Sequence, residues 1–116
     1  MAKGIDVDRR VPGVAIVALM GEHEMYSAPD VERELFAALA DDQAVIVDLS
    51  KAEFLDSSVV SVLLRARNEA EGRSRRFGLV VDDTTGWAVR QLLEMTGLAA
   101  VFPISQTRDD AIAGAA

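Results

Sequence analysis

The hydrophobic pattern at the start of the chain predicts two short strands joined by a tight turn. Residues 4–10 alternate loosely between apolar and polar side chains, the period of a half-buried strand. Pro12 and Gly13 form a turn signal, and the apolar run VAIVALM at 14–20 follows directly. Gly21 ends this run. We therefore expect the chain to open with a β-hairpin.

A helix is predicted after this hairpin, beginning near Ser27. Ser27 offers a hydroxyl cap, Pro29 suits the first helical turn, and Asp30 favours the positive end of the helix dipole. Asp41 and Asp42 end the pattern. Between Ser27 and Asp41, apolar residues recur at i, i+4, i+7 and i+8, which is one helical face: Val31, Leu35, Ala38 and Leu39.

Two further helices are predicted from the same kind of apolar face. The second runs from about residue 58 to residue 71 and is stopped by Gly72. The third is capped by Thr84 or Thr85 and is stopped by Gly97. The residues expected to be buried are Val59, Val60, Leu63 and Leu64 in the second helix, and Val89, Leu92 and Leu93 in the third.

The remaining apolar runs predict three more strands and a last helix. Residues 44–49 and 77–82 are apolar on both faces, which is typical of central strands covered on two sides. Residues 100–104 predict a short strand, and residues 107–113 predict a short helix. The predicted order is β-β-α-β-α-β-α-β-α. This alternation predicts an α/β fold with a mostly parallel sheet and an antiparallel entry hairpin.

Composition places this pattern in one domain. At 116 residues the chain can close a single hydrophobic core, so we assign residues 1–116 to one domain with a small flexible tail from about residue 113. The formal net charge of −7 argues against nucleic-acid binding, which needs clustered Lys and Arg. The one basic cluster, Arg73, Arg75 and Arg76, is predicted to be a solvated turn.

The absence of cysteine excludes disulfides, thiol nucleophiles and thiolate metal sites. The N-terminus has no apolar segment of the kind found in signal peptides. The longest apolar run is far shorter than the roughly 20 residues that span a bilayer. We therefore expect a cytoplasmic protein that does not bind membranes.

Asp56, Ser57 and Ser58 interrupt an apolar segment just before the second predicted helix. They are either plain capping groups, which stabilise a helix by about 1 kcal/mol, or a phosphorylation site. The positive dipole end and the unpaired N–H groups of a helix start tolerate a phosphate, and the surface then gains about 1.5 to 2 negative charges. The residues alone leave both interpretations open.

Other candidate groups give weaker signals. His23, the only histidine, lies between Glu22 and Glu24, and we predict a surface residue at a solvated strand end. Its sequence context does not connect it to the serines as a general base, and one imidazole with two adjacent carboxylates is weak evidence for a metal. The sequence therefore predicts neither a hydrolase nor a metal site.

Three large side chains lie outside the predicted apolar faces. Trp87 is expected to cover the edge of the core, and Met25 and Tyr26 are expected to pack in the same way. Contact with a partner protein is the alternative for all three, because exposed aromatic residues are enriched at binding hot spots.

Three segments, in this order, resemble the STAS domain of bacterial anti-sigma factor antagonists. VIVDLSKAEFLDSSVVSVLL at 45–64 is similar to the family's apolar strand followed by a Phe-x-Asp-Ser-Ser/Thr segment that opens a helix. LMGEHEMYSAPDVERELFAAL at 19–39 is similar to its Leu-x-Gly-Glu-x-Asp segment and following helix. VRQLLEMTGLAAVFPI at 89–104 is similar to its helix-Gly-Leu-strand ending. The resemblance covers almost the whole chain.

The resemblance implies a regulator of transcription that acts by protein–protein interaction, without cofactor, metal or enzymatic activity. In the family, a histidine-kinase-like anti-sigma factor binds the unphosphorylated domain, so that the sigma factor is released. This kinase phosphorylates the first serine after the aspartate, and a PP2C-type phosphatase removes the phosphate. By position, the resemblance implies phosphorylation of Ser57, with Ser58 as the alternative. It implies partner binding by Glu24, Asp56, Ser57, Ser58 and Val59.

The sequence departs from the family at two places. Val59 and Val60 replace the usual Gly-Leu after the serines, and a β-branched residue is expected to stiffen the turn and to crowd a kinase. Glu24 stands where the family usually has an aspartate. The alternative function is therefore a STAS interaction or sensory module that works without phosphorylation.

Overall fold

The computed structural model describes residues 4–115. Its strands are β1 (Ile5–Asp8), β2 (Val14–Leu19), β3 (Gly21–His23), β4 (Ala44–Asp48), β5 (Ala52–Leu55), β6 (Arg76–Val80) and β7 (Ile104–Ser105). Its helices are α1 (Ala28–Asp41), α2 (Ser57–Gly72), α3 (Trp87–Met95) and α4 (Arg108–Ala115), with a 3₁₀ helix at Leu98–Ala100.

Five strands form a mixed sheet in the order β1-β2-β4-β6-β7. The β1–β2 pair is antiparallel, with Ile5 opposite Leu19, and the other pairs are parallel. The predicted α/β fold class, with its entry hairpin and four helices, is confirmed. None of the helices within residues 4–115 is long and apolar enough to cross a membrane.

Alternating residues of the sheet face two separate cores. On one face, Val17, Val47 and Leu79 belong to the large core that α1 and α2 cover. On the other face a smaller core lies under α4, and its buried members are Ile16, Ile46, Val80 and Ala111. This division explains why the central strands are apolar on both faces.

The predicted buried face of α1 is confirmed, because Val31, Leu35, Ala38 and Leu39 are fully buried. In α2 the prediction is partly wrong. Val59 and Leu63 are buried, whereas Val60 and Leu64 lie half-buried at the edge of the core. Small and branched residues complete the buried face of α2 and let it approach α1 and the sheet: Val62, Ala66 and Ala70.

Two predicted helix caps are wrong. Ser27 precedes α1, but its side chain makes no capping hydrogen bond. The third helix begins after Gly86, not after Thr84 or Thr85. A Cβ on Gly86 would lie 2.7 Å from backbone atoms of Glu53, so glycine allows α3 to begin directly against β5. Thr85 instead is buried, and its hydroxyl accepts a hydrogen bond within the preceding turn.

A second, two-stranded parallel sheet, made by β3 and β5, was not predicted from the sequence. Both strands are short and flank turns, so their periodicity is weak. The strand predicted at 100–104 is also displaced, since the 3₁₀ helix occupies its first residue and β7 begins at Ile104. The tail predicted from about residue 113 is helical as far as Ala115, and residue 116 lies outside the described residues.

An ionic network fastens α4 to the sheet. Arg108 Nε donates a hydrogen bond to the Oδ2 of buried Asp48 at 2.7 Å, and Arg108 Nη1 lies 3.3 Å from Asp8 Oδ2. The hydrogen bond from the Arg10 side chain is the main cause that lowers the pKa of Asp8 to about 2. The Asp8 carboxylate on β1 therefore stays ionised at neutral pH, and the same arginine of α4 also binds Asp48 on β4.

Candidate functional site

The Asp-Ser-Ser segment lies where β5 turns into α2. Asp56 is the N-cap of α2, and its Oδ1 accepts hydrogen bonds from the N–H of Ser58 at 3.0 Å and of Val59 at 3.2 Å. The Ser58 hydroxyl donates to the same oxygen at 2.5 Å. Asp56 is therefore a helix cap, as the capping interpretation predicted. The Ser58 hydroxyl belongs to the same cap, because it donates to the Asp56 carboxylate.

Ser57 differs from Ser58 in its surroundings. Ser57 is exposed in the first turn of α2, and its hydroxyl makes no hydrogen bond within residues 4–115. Ser58 is half-buried and its hydroxyl is bound by Asp56. A modifying enzyme or a partner protein can therefore reach the Ser57 hydroxyl without breaking any contact among the described residues.

Asp56 also connects this turn to the loop that precedes α1. Its Oδ2 accepts a hydrogen bond from the backbone N–H of Met25, and its own N–H donates to the carbonyl of His23 at 3.2 Å. The hydrogen bond from the Ser58 hydroxyl is the main cause that lowers the pKa of Asp56, and the three backbone amides act in the same direction. The ionised carboxylate thus holds the two loops together.

Other predicted site residues lie in different environments. Glu24 is exposed in the loop before α1 and lines a groove together with Tyr26 and Glu53. Val59 has no exposed surface, because its side chain points into the core beneath α2. The prediction that Val59 contacts a partner is therefore wrong for its side chain, and the same burial means that it cannot crowd a kinase from outside.

The large side chains around this turn are exposed. Met25 is 64%, Tyr26 82% and Trp87 69% exposed, so the prediction that they pack against the core is wrong. Phe54 on β5 is 42% exposed. Four large apolar or aromatic side chains are therefore exposed on the loop before α1, on β5 and at the start of α3, and such side chains are enriched at protein-binding surfaces.

His23 is buried, in contrast to the surface position that the sequence predicted. It is 1% exposed, and its ring nitrogens contact Ser27 Oγ and the carbonyls of Gly4 and Met20. Its sequence neighbours Glu22 and Glu24 are exposed, and this acidic context is why the sequence predicted a surface position for His23. The ring does not contact Ser57, so it cannot act as a general base for that hydroxyl.

No group of three or more His, Asp or Glu within residues 4–115 is arranged to hold a metal ion. The arrangement offers a hydroxyl at a helix start that has no partner within residues 4–115, an ionised cap behind it and the exposed Met25 beside it. It is suited to recognition by another protein.

Comparison with known proteins agrees with this geometry. Residues 7–111 match the model of the STAS domain family. The anti-sigma-F factor antagonist RsfB of Mycobacterium tuberculosis is 34% identical over 103 residues, which cover 88% of this chain and 81% of RsfB. The crystal structure of an anti-sigma factor antagonist from Mycobacterium paratuberculosis has a TM-score of 0.81 and 35% identity, covering 96% of this chain and 92% of that chain.

More distant structures share the fold. The anti-sigma factor antagonist SpoIIAA in its unphosphorylated form has a TM-score of 0.77 at 20% identity, covering 93% of this chain and 92% of that chain. The phosphorylated form of the Bacillus SpoIIAA has a TM-score of 0.71 at 19% identity, covering 93% and 96%. Fold, segment order and sequence identity agree, and this protein belongs to the STAS domain family.

Proposed function

We propose that this protein is an anti-sigma factor antagonist that is switched by phosphorylation of Ser57. Unphosphorylated, it binds an anti-sigma factor of the histidine-kinase-like type in the cytoplasm, and the sigma factor is released. The bound kinase phosphorylates Ser57, which ends the interaction, and a PP2C-type phosphatase restores the binding form. The names of the relatives at 34% and 35% identity support the antagonist role.

The observation that carries the proposal is the contrast between the two adjacent serines. The Ser57 hydroxyl is exposed and unbound among the described residues, while the Ser58 hydroxyl donates to Asp56. A kinase needs an accessible hydroxyl that an active-site base can deprotonate. This contrast supports Ser57 over Ser58 as the phosphoacceptor.

The surroundings of Ser57 explain why a phosphate would change partner binding. Asp56 already accepts the N–H groups of Ser58 and Val59, so these amides are not available to neutralise a phosphate. Glu24 and Glu53 are exposed nearby on the connected loop and strand. The added charge of about −1.5 to −2 therefore faces the partner, which must desolvate or repel it.

Phosphate mapping tests this proposal. The purified protein is incubated with Mg-ATP and, in turn, each histidine-kinase-like anti-sigma factor of the same organism. Intact-mass spectrometry and peptide fragmentation then locate the phosphate. We expect one phosphate, on Ser57, in the wild type and in Ser58→Ala, and none in Ser57→Ala. A phosphate on Ser58 alone, or binding of an anti-sigma factor without any phosphate transfer, would contradict the proposal.

A second candidate function is a STAS interaction module that binds its partner without phosphorylation. The occupied amides at the start of α2 favour it, because a phosphate on Ser57 gains little internal stabilisation there. Binding of the same partner with equal affinity by wild type, Ser57→Ala and Ser57→Asp would support this module instead.

A further inference from the structure

A cleft of about 420 Å³ lies between the sheet and α4. Gly78 of β6 and Ser105 of β7 line it from the sheet, and Ala111 and Gly114 line it from α4. Its volume falls within the range of about 300–1,000 Å³ that is usual for small-molecule sites. Since α4 and α2 cover opposite faces of the sheet, the cleft is separate from Ser57 at the start of α2.

The cleft exists because β6 has a glycine where the strand could carry a side chain. Side chains alternate along β6, so that Phe77 and Leu79 belong to the large core and Val80 belongs to the small core under α4. Gly78 therefore faces the same side as Val80 and α4. With no side chain, it leaves the space between β6 and α4 unfilled.

Neither backbone conformation nor close packing requires glycine at position 78. Gly78 is not among the glycines of the described chain that have a positive φ. A Cβ at this position would meet one atom within 4 Å, the Pro103 carbonyl oxygen at 3.5 Å, which is an ordinary contact. Glycine inside a strand lowers stability, and it often marks a place where a ligand approaches the backbone. The open space is therefore a feature in search of a functional reason.

One charged side chain, that of Arg76, lines the cleft among the described residues. Arg76 is exposed and forms no ion pair within residues 4–115, whereas Arg73 nearby in sequence pairs with Glu69. The Ser105 hydroxyl adds one group that can donate or accept a hydrogen bond. The other lining residues are apolar, so the cleft combines an apolar wall with a single positive charge.

We propose that this cleft binds a small organic monocarboxylate. The apolar body of the ligand lies between Gly78 and α4, and its carboxylate binds Arg76. A guanidinium presents a planar fork of N–H groups that matches the two oxygens of a carboxylate. A single cation does not neutralise a polyphosphate, and an apolar wall does not replace its water, so the charge of the cleft favours a monoanion.

NMR titration of the folded protein tests the proposal. The probes are benzoate, indole-3-acetate and octanoate, each compared with its neutral amide. For at least one carboxylate we expect saturable shifts of the backbone amide signals of Gly78, Ser105 and Gly114, with a dissociation constant of about 1 mM or lower. The matching amide should bind at least about threefold more weakly, because it lacks the charge that Arg76 binds.

Filling the cleft should prevent binding without harming the fold. Gly78→Val places a side chain in the space that the ligand would occupy, so the affinity for the carboxylate should fall by at least about tenfold. Valine also favours a strand more than glycine does, so the thermal unfolding midpoint should stay the same or rise. Gly78→Ala adds only one methyl group in ordinary contact and should bind with intermediate affinity.

Removing the charge tests the role of Arg76. Arg76→Gln should weaken binding of the carboxylate by at least about threefold and leave binding of the amide unchanged. Arg73→Gln is the matched control, because Arg73 does not line the cleft and pairs with Glu69. It should leave the affinity for both probes unchanged.

Three outcomes would overturn the inference. The first is the absence of saturable shifts at the cleft for all three carboxylates up to about 10 mM. The second is equal affinity for each carboxylate and its amide. The third is unchanged binding in both Gly78→Val and Gly78→Ala. None of these measurements involves a kinase, a partner protein or Ser57, so they are independent of the phosphate mapping that tests the proposed function.

Discussion

The backbone amide of Met25 donates a hydrogen bond to the carboxylate of Asp56 at 3.0 Å, across 31 residues of sequence. The same carboxylate caps α2 through the N–H groups of Ser58 and Val59. One side chain thus sets the position of the loop before α1 relative to the start of α2. The exposed side chains on both segments form one surface as a result.

A negative charge at position 57 should weaken partner binding. We expect Ser57→Asp to fold normally and to lower the affinity for the anti-sigma factor by at least about tenfold, or 1.4 kcal/mol, because the charge must be desolvated or repelled. Titration calorimetry measures this. Ser74→Asp is the matched control, since it adds the same charge beyond the other end of α2. An equal loss of affinity for the anti-sigma factor in Ser57→Asp and Ser74→Asp would count against a specific role for position 57.

Loss of the Asp56 carboxylate should destabilise the protein at neutral pH and less in acid. The folded protein lowers the pKa of Asp56, so its contribution to stability is present above the ordinary pKa of an aspartate and disappears as the pH falls through the lowered value. The difference in the free energy of unfolding between wild type and Asp56→Asn should therefore shrink between pH 7 and pH 3. Urea unfolding at both pH values measures it. A difference that does not depend on pH would refute this role for the charge.

Ser58 should matter for stability rather than for phosphate transfer. Ser58→Ala removes the hydroxyl that donates to Asp56, and we expect a loss of about 1 kcal/mol in the free energy of unfolding. Ser57→Ala removes a hydroxyl with no hydrogen bond among the described residues, so its stability should stay within about 0.5 kcal/mol of wild type. Thermal and urea unfolding of the pair provide the comparison. A larger loss of stability in Ser57→Ala than in Ser58→Ala would show that the Ser57 hydroxyl, and not the Ser58 hydroxyl, makes the stabilising hydrogen bond.

Trp87 should contribute to partner binding without contributing to folding. We expect Trp87→Ala to weaken binding by about 2 kcal/mol, roughly 30-fold, with little change in unfolding, because the side chain is largely exposed at the start of α3. Met95→Ala removes another exposed side chain at the far end of the same helix and is the control. A stability loss in Trp87→Ala that matches the loss in binding would instead indicate a packing role.

Gly86 should tolerate no side chain. A Cβ at this position would lie 2.7 Å from the Glu53 Cα and carbonyl oxygen, so Gly86→Ala should displace α3 from β5 and cost about 1–3 kcal/mol. Gly72→Ala, at the end of α2, meets no atom within 4 Å and should be neutral or stabilising by about 0.5–1 kcal/mol. Chemical denaturation of both variants distinguishes the two environments. Equal stability would show that the backbone relaxes around the new methyl group.

The helices and central strands were predictable because their signals are local and repeated. Four residues of α1 share one face, and the run at 44–49 is apolar on both faces. Hydrophobic burial of such patterns is nearly independent of the partner they pack against. The boundaries of α3 and β7 were not predictable in the same way, because the close approach of Gly86 to β5 and the 3₁₀ helix at Leu98–Ala100 decide them.

The sequence by itself determined the α/β fold, the family resemblance and a helix that begins at an Asp-Ser-Ser segment, since periodicity, capping chemistry and motif spacing are all properties of neighbouring residues. Only the tertiary structure decided which serine hydroxyl has no partner among the described residues, that Val59 is buried and that His23 is buried. Each of these depends on contacts between distant segments: Asp56 with Met25, α2 with the core, and the His23 ring with Gly4. The local sequence does not reveal such contacts, because they form only when distant segments of the folded chain pack together.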